Sequence, residues 1–224
     1  PKPSSAASDV YKRQGYMGYS PSALFLNGEY WGIHNIREKF DTRYFSENFN
    51  VNPDNLDHLE YTTTQNGTEM LVVEGTLDHY STMIDYIMNN DLNNAAIYNE
   101  IQQRMNVDSF IDHIIMTIYC ANTSWGHNRE WWRPREENGT WQWLIVDLDR
   151  GFNINNSNTN LVDNLKEDYE LFQYLLNSSF FVDRFVQRSA AHLSNTFFAE
   201  RMNSIVDSLG SMINLEMPRH IDRW

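Results

Sequence analysis

Residues 122–153 constrain the fold of this chain more than any other part of its sequence. An Asn-rich turn opens the segment, two largely apolar runs follow, and the tripeptide Asp147-Leu148-Asp149 closes it. The pattern predicts two strands, over residues 130–133 and 141–146, joined by a turn at Glu137-Asn138-Gly139. Both polar turns then lie at the same end of the two strands. The segment therefore gathers oxygen atoms, as a site for a hard cation and a phosphorylated ligand requires.

The carboxylates of Asp147 and Asp149 are the first candidates for a functional role. Two carboxylates one residue apart at the end of a buried strand can meet at one point, and Mg²⁺ is held by one or two carboxylates plus substrate phosphates. Gly151 permits a tight turn after them, and Phe152 is expected to pack back into the core. The alternative is an ordinary strand-end turn in which Asp caps backbone amides. The residues alone do not decide between the two.

Other polar and aromatic residues of the segment also have two interpretations. The amides of Asn122 and Asn128 could ligate the same metal or hold a phosphate, although Asn is also a common turn residue. His127 could act as a general acid or base, and a polar turn residue is the simpler interpretation. Five tryptophans are predicted to pack in the core, with a sugar-stacking surface as the alternative: Trp125, Trp131, Trp132, Trp141 and Trp143.

The composition narrows the class of partner. The chain has 224 residues and a formal net charge of -13, and it lacks the clustered Lys and Arg that neutralise phosphates, so nucleic acid is not expected as a partner. A basic protein or a divalent metal suits an acidic surface better, although acidity also serves solubility alone. No apolar run approaches the ~18 residues of a membrane span. The single cysteine, Cys120, lies in an apolar run typical of a buried helix rather than of a nucleophile.

Both ends of the chain are expected to differ from natural termini. Residues 1–14 are unlike the rest, and residues 9–14 match the translation of a common sequencing-adaptor end, so we expect a non-native tail. The protein is then expected to begin near Gly15 without its natural start. Trp224 follows a helical pattern without a closing cap, which predicts truncation there too.

The first half of the chain predicts a hairpin followed by helices. Residues 22–37 read as two strands around Asn27-Gly28, a strong two-residue turn signal. Asp41 or Thr42 is expected to cap a short helix. Residues 50–68 are predicted to form a loop with one short strand over residues 56–62.

Helical spacing of apolar residues prevails later. It predicts three helices over residues 76–121, the last of them buried and capped by Asp108, and an Asn-rich loop over residues 153–165. Three further helices are expected over residues 167–177, 179–195 and 199–219. No repeat or interdomain linker is visible. This order predicts an α+β fold, or a two-lobed α/β arrangement, rather than alternating βαβ units.

From about Leu24 to Trp224 the chain resembles the spore-coat protein H (CotH) kinase family. The resemblance is carried by NGEYWGIHNIREKFD, NTSWGHNREWWRP, WQWLIVDLDRGF and the late segment LSNTFFAERMNSIVDSL…EMPRHIDRW. It implies an atypical protein-kinase-like fold, with residues 15–224 as a partial domain. Residues 15–40 would be the end of an N-terminal lobe and its hinge, and residues 41–224 a mostly helical C-terminal lobe with a catalytic-loop hairpin.

The resemblance also implies an activity. It suggests ATP- and Mg²⁺- or Mn²⁺-dependent phosphoryl transfer to Ser or Thr of a protein, with a Ser-rich, basic substrate, at a bacterial cell surface or spore coat. Glu38 and Lys39 would lie near adenine. Residues 122–128 would form the catalytic loop, with Asn122 at the cofactor. The metal ligands would be Asn128, Asp147 and Asp149.

Ser124 departs from the family pattern. It stands where the family has the Asp that accepts the proton of the substrate hydroxyl, and the loop is one residue shorter. A weak kinase, a base borrowed from Asp149 or His127, and a catalytically inactive kinase-like binding module of a cell-surface or coat assembly all remain open. The phosphate-contacting lysine expected before the hairpin is also not in the chain, which predicts poor ATP binding.

Overall fold

The protein, in a computed structural model, is described over residues 15–156 and 158–224. The predicted non-native tail, residues 1–14, lies outside the described residues. Strands and helices are both present and do not alternate regularly, so the predicted α+β class is confirmed. The chain forms two compact units, Asp41–Arg188 with residues 15–16, and Met17–Phe40 with Ser189–Trp224. The assignment of residues 15–40 and 41–224 to two lobes stays a prediction.

The described strands form two separate sheets. The strands are β1 (Gly15–Tyr16), β2 (Tyr19–Leu26), β3 (Glu29–Arg37), β4 (Leu56–Thr64), β5 (Gly67–Glu74), β6 (Arg129–Pro134) and β7 (Gln142–Ile145). In the larger unit they follow the order β1-β7-β6-β4-β5, with β1 parallel to β7 and the other neighbours antiparallel. In the smaller unit β2 pairs with β3.

The helices lie mostly between and after the strands. They are α1 (Thr42–Phe49), α2 (Asp78–Met88), α3 (Ala95–Arg104), α4 (Val107–Tyr119), α5 (Leu161–Asp168), α6 (Glu170–Leu175), α7 (Ser179–Ala191), α8 (Ala199–Ile213) and α9 (Met217–Arg223). Short 3₁₀ turns at Trp125–His127 and Ile154–Asn156 and a π-helical turn at His192–Thr196 complete the described elements.

Several sequence predictions are confirmed. The β2–β3 hairpin turns at Asn27 and Gly28, whose positive φ values of 52° and 85° belong to the two-residue turn that these residue types favour. The Asp41 side chain caps α1 by accepting a hydrogen bond of 2.9 Å from the Tyr44 N–H. Helix α4 is buried, with Phe110 and Ile114 at 0% exposure, and β6 and β7 form the predicted hairpin.

The prediction of a loop with a single strand over residues 50–68 is wrong. Strand β4 continues into a hairpin with β5, whose residues do not alternate clearly in hydrophobicity, because most of them are exposed and pairing with β4 rather than burial makes them a strand. Helix α4 is capped by Asn106 rather than Asp108, since Asn106 Oδ1 accepts the Ser109 N–H at 3.0 Å while Asp108 pairs with Arg184.

The long Asn-rich loop also ends earlier than predicted. Helix α5 begins at Leu161, because the Asn160 side chain accepts a hydrogen bond of 3.2 Å from the Val162 N–H and caps it. The second half of the chain therefore contains more and shorter helices than the apolar spacing indicates.

Candidate functional site

One face of helix α4 binds strand β7 and so positions the loops that follow both elements. The Ser109 hydroxyl accepts a hydrogen bond of 2.8 Å from the Trp143 N–H, and His113 Nδ1 lies 3.1 Å from the Leu144 carbonyl oxygen. Burial lowers the pKa of His113 to about 4, so the ring is neutral at pH 7 and its Nδ1–H donates to that carbonyl. These contacts hold the first half of α4 against β7.

Helix α4 ends in a turn that directs Asn122 into the protein. Ala121 adopts a left-handed conformation with φ 51°, and its N–H donates to the Ile118 carbonyl at 3.0 Å. The Asn122 N–H donates to the Thr117 carbonyl at 3.1 Å, which completes a Schellman-type ending. Asn122 is consequently buried, with 1% of its surface exposed.

The Asn122 amide connects the predicted catalytic loop to the predicted metal-binding turn. Its Oδ1 accepts hydrogen bonds from the Ser124 N–H at 3.2 Å and from the Ser124 hydroxyl at 3.0 Å. Its Nδ2 donates to the backbone oxygen of Asp147 at 3.3 Å. Asn128 extends the network, because its Nδ2 donates to the Ser124 hydroxyl at 3.4 Å. Asn122, Ser124, Asn128 and Asp147 are thus brought together.

The Asp turn begins directly after β7. Asp147 has φ 43°, a left-handed conformation that Asp and Asn tolerate better than most residues. Both Asp147 and Asp149 are exposed. The turn therefore presents two carboxylates to solvent at the end of a buried strand, beside the loop that Asn122 holds.

A second contact joins the two loops through the backbone. The Phe152 N–H donates to the Cys120 carbonyl at 2.6 Å, and a Cβ atom at Gly151 would lie 3.0 Å from Cys120 Cβ and 2.9 Å from the Leu148 oxygen. The prediction that Phe152 packs into the core is wrong, since 61% of its surface is exposed. Its positive φ of 54° turns the side chain outward, where its ring meets the edge of Tyr119.

Glu38 and Lys39 belong to the smaller unit. They follow β3, both are exposed, and Glu38 Oε2 accepts a hydrogen bond of 2.7 Å from the Gly18 N–H. Their role at adenine stays a prediction. His127 lies in the 3₁₀ turn and is partly exposed, and its role as a base stays a prediction as well.

Arg129 anchors the loop from its far end, and the sequence did not single it out. Its guanidinium carbon lies 4.3 Å from the ring centres of both Tyr61 and Tyr169, and its Nη2 donates to the Gly126 carbonyl at 3.4 Å. Arg129 is 8% exposed. Within the described residues, no carboxylate lies within ion-pairing distance of it, so aromatic faces replace a counter-ion.

Two polar residues of α4 were also missed. Ser109 and His113 lie one turn apart on a helix that is otherwise largely apolar, and this spacing on a buried helix is the signal that could have found them. Buried polar side chains require partners, and the backbone of β7 provides them.

The remaining aromatic and sulfur predictions are confirmed. All five tryptophans of the segment are buried, none above 7% exposure, so they offer no open ring face for a sugar: Trp125, Trp131, Trp132, Trp141 and Trp143. Cys120 is fully buried, and burial raises the pKa of its thiol to about 12, as befits a core residue rather than a nucleophile.

The donor atoms suit a hard divalent cation that arrives with a phosphate ligand. Asn128 donates through Nδ2, so its Oδ1 can serve as an oxygen ligand, and the exposed carboxylates of Asp147 and Asp149 follow β7 in the neighbouring turn. Across the described ranges, no group of three His, Cys, Asp or Glu side chains could hold a metal without other ligands. Mg²⁺ and Mn²⁺ need fewer protein carboxylates, because waters and substrate phosphates complete the coordination.

Comparisons with known proteins agree with these features. The family described as CotH kinase protein matches residues 16–224, which includes both loops of the candidate site. No curated protein matches the chain significantly. In the part of the chain that the structure describes, no helix is both long and apolar enough to cross a membrane. Because the family match covers nearly the whole sequence, the chain belongs to the CotH kinase family.

Proposed function

We propose that this chain transfers a phosphoryl group from ATP to Ser or Thr side chains of a protein, within a protein-kinase-like fold. Membership of a kinase family supports the reaction class and a protein as substrate. The observation that carries the proposal is the hydrogen bond of 3.3 Å from Asn122 Nδ2 to the Asp147 backbone oxygen. It links the loop proposed to face the substrate with the turn proposed to hold the metal, over 25 residues of sequence.

Each residue of the site has a role in this proposal. Asn128, Asp147 and Asp149 hold Mg²⁺ or Mn²⁺, which when bound offsets the charge of the ATP phosphates. Glu38 and Lys39 lie beside the adenine. Asn122 keeps the two loops in register, since its amide is hydrogen-bonded to both.

The substrate and the location are proposed from the family alone. A Ser-rich, basic protein would be complementary in charge to a chain of net charge -13. The place of action would be a bacterial cell surface or a spore coat.

Ser124 favours a second candidate function, a catalytically inactive kinase-like binding module of such an assembly. The Ser124 hydroxyl donates to Asn122 Oδ1 and accepts from Asn128 Nδ2, and a hydroxyl does not accept a proton at neutral pH. Phosphoryl transfer depends chiefly on positioning and charge stabilisation, so a serine here lowers the rate without abolishing the chemistry. Asp149 and His127 are the alternative bases.

The decisive experiment measures transfer of ³²P from ATP to a Ser-containing basic peptide, at millimolar ATP with Mg²⁺ or Mn²⁺. We expect Asp147→Asn and Asp149→Asn each to lower the rate by about a hundredfold or more, because each removes one charge from the metal. Asn is used rather than Ala because it tolerates the left-handed conformation of Asp147. Asp54→Asn, in an exposed loop, is the matched control and should retain the rate.

Ser124→Asp separates the two candidate functions. If the natural chain binds ATP with metal but transfers nothing, and Ser124→Asp restores transfer, the chain is the inactive binding module. If neither form transfers phosphate, the kinase function is wrong and the inactive binding module stands.

A further inference from the structure

A cavity of about 410 Å³ in the larger unit lies outside the proposed catalytic site. It is bounded by helix α2, by strands β4 to β6, and by the junction of α5 and α6. The residues of the predicted catalytic loop and Asp turn do not line it, apart from their neighbour Arg129. The cavity has a buried aromatic floor and an exposed acidic rim.

The floor carries a polar group without a protein partner. Tyr80, Trp131 and Tyr169 line it and are 8%, 3% and 4% exposed. Among the described residues, the Trp131 Nε1–H is buried without a hydrogen-bond partner, and the Tyr80 hydroxyl lies in the same floor. Burial raises the pKa of the Tyr80 hydroxyl, and the nearby Tyr169 and Glu170 raise this pKa further, while Arg129 lowers it. The hydroxyl therefore stays neutral and interacts electrostatically with Glu170 on the rim. A bound ligand can therefore form a hydrogen bond with the floor of the cavity.

The rim consists of three carboxylates that lack counter-ions. Asp85, Asp168 and Glu170 line the cavity and are exposed. Between residues 15–156 and 158–224, no Lys, Arg or His lies within 4.0 Å of any of them. Glu170 accepts one long hydrogen bond of 3.5 Å from the Tyr174 hydroxyl. Carboxylates gathered around one opening repel one another, and a bound cation would relieve that repulsion.

Arg129 does not neutralise this rim. It is the cationic residue of the lining, yet its guanidinium lies between the faces of Tyr61 and Tyr169. Its Nε atom is buried without a hydrogen-bond partner. The cavity therefore has three carboxylates against one guanidinium whose position is fixed by stacking.

The chemistry of the lining selects an organic cation with an apolar stem. A metal ion suits this lining less well, because aromatic and aliphatic side chains outnumber the oxygen ligands that a metal needs. Met70, Ile84 and Leu171 add apolar surface beside the aromatic rings, which suits the methylene chain of a basic residue that lies across the opening with its charged head at the rim carboxylates. Arg129 in the floor repels a cation that enters deeply and so keeps the head near the carboxylates.

We propose that this cavity binds a lysine or arginine side chain of a partner polypeptide. A polypeptide is favoured over a free small cation because the net charge of -13 attracts a partner with several positive charges, and because the family implies a protein substrate. The proposal rests on the proposed function only in calling that polypeptide a substrate. Binding itself needs neither nucleotide nor metal.

The test uses fluorescence anisotropy of a labelled peptide, Gly-Ser-Gly-Arg-Gly-Ser-Gly, with the whole chain at low salt and without ATP or metal. The reference peptide has citrulline in place of arginine, which keeps the shape and removes the charge. We expect the arginine peptide to bind at least about fivefold more tightly, as one or two partly exposed charge contacts provide. Equal binding of the two peptides overturns the proposal.

A charge-matched pair of variants locates the site. The double variant Asp168→Asn with Glu170→Gln should weaken binding of the arginine peptide by about five- to tenfold. Glu167→Gln with Asp183→Asn removes the same charge from exposed positions outside the cavity and should leave the affinity within about twofold. If both double variants weaken binding of the arginine peptide equally, the net charge alone attracts the peptide, and the cavity is not the binding site.

A competition arm identifies the source of the cation. If spermidine binds while the arginine peptide does not, the site takes a small polyamine and the polypeptide assignment is wrong. Displacement of the bound peptide by N-acetyl-arginine amide supports the assignment. Peptide binding without any phosphoryl transfer would contradict the proposed reaction but would still support this inference.

Discussion

Gly151 lies between the two loops of the candidate site, where there is no room for a side chain. The chain passes the carbonyl oxygen and Cβ atom of Cys120 at this point, and the Gly151 N–H donates to the Leu148 carbonyl at 2.8 Å. The spacing between the loops therefore depends on a residue without a Cβ atom. Asn122 provides the polar link across the same gap, and the two residues together set the position of the Asp turn.

We predict that Gly151→Ala destabilises the larger unit by about 1–3 kcal/mol, because its Cβ would press on backbone atoms that cannot give way easily. Urea denaturation followed by tryptophan fluorescence measures the change. Gly126→Ala is the matched control, since a Cβ atom there meets no atom within 4 Å and should change the stability by less than about 0.5 kcal/mol. Equal stability of the two variants would show that the loops separate without cost.

At the scale of elements, Asp57 joins β4 to β6 and to the loop before α2. The carboxylate is 1% exposed and lies 2.9 Å from Arg133 Nε and 2.7 Å from Arg135 Nε. It also accepts the Thr76 N–H at 2.8 Å. Burial alone would raise the pKa of Asp57, but these three donors outweigh it and hold the pKa below the ordinary value of 3.8.

The pH dependence follows from the sign of that shift. A carboxyl group with a lowered pKa in the folded state stabilises the fold above its unfolded value, and this contribution disappears as the pH falls through the folded value. We predict that Asp57→Asn costs about 3 kcal/mol at pH 7, because it leaves two arginines without their buried partner.

The difference in unfolding free energy between the natural chain and Asp57→Asn should shrink as the pH falls below 3.8, the ordinary value for Asp. Urea titrations at a series of pH values measure it. Asp54→Asn, which removes an exposed carboxylate, should follow the natural chain throughout. A difference that stays constant down to acid pH would contradict the ion-pair assignment.

At the scale of the whole molecule, we expect the negative net charge to control whether copies of the chain associate. The sequence has a net charge of -13 and a pI of about 4.8. Mutual repulsion at pH 7 keeps copies of the chain apart, and that repulsion vanishes near the pI. The same negative charge would favour the basic polypeptide proposed for the acidic cavity.

We predict that the hydrodynamic radius rises as the pH is lowered from 7 to about 4.8, while the circular dichroism spectrum stays that of the folded protein. Asp57 does not weaken the fold in this range, because its pKa lies below 3.8 and its ion pairs are still intact at pH 4.8. Dynamic light scattering measures the radius. A constant radius through pH 4.8, or loss of the fold at that pH, would contradict this prediction.

Local signals made much of the fold predictable. Asn27 and Gly28 specify a tight hairpin by their own backbone preferences, Asp41 caps α1 from the next residue, and apolar spacing marks α2 to α4. Strand β5 was not predicted, because its pairing with β4, rather than its own composition, makes it a strand. The cap of α4 was predicted at Asp108, because Asn106 and Asp108 both suit a cap by residue type. In the structure Asp108 forms an ion pair with Arg184, and Asn106 caps the helix.

The sequence by itself determined the α+β class, the hairpins, the helices and the family, because these follow from short-range turn chemistry, periodicity and a long motif match. It also identified Ser124 as the departure from the family pattern in the proposed catalytic loop. Only the tertiary structure decided that Asn122 reaches Asp147, that Arg129 lies between Tyr61 and Tyr169, and that three carboxylates surround one cavity. Such contacts join residues far apart in the chain, and local preferences carry no information about them until the strands and helices pack.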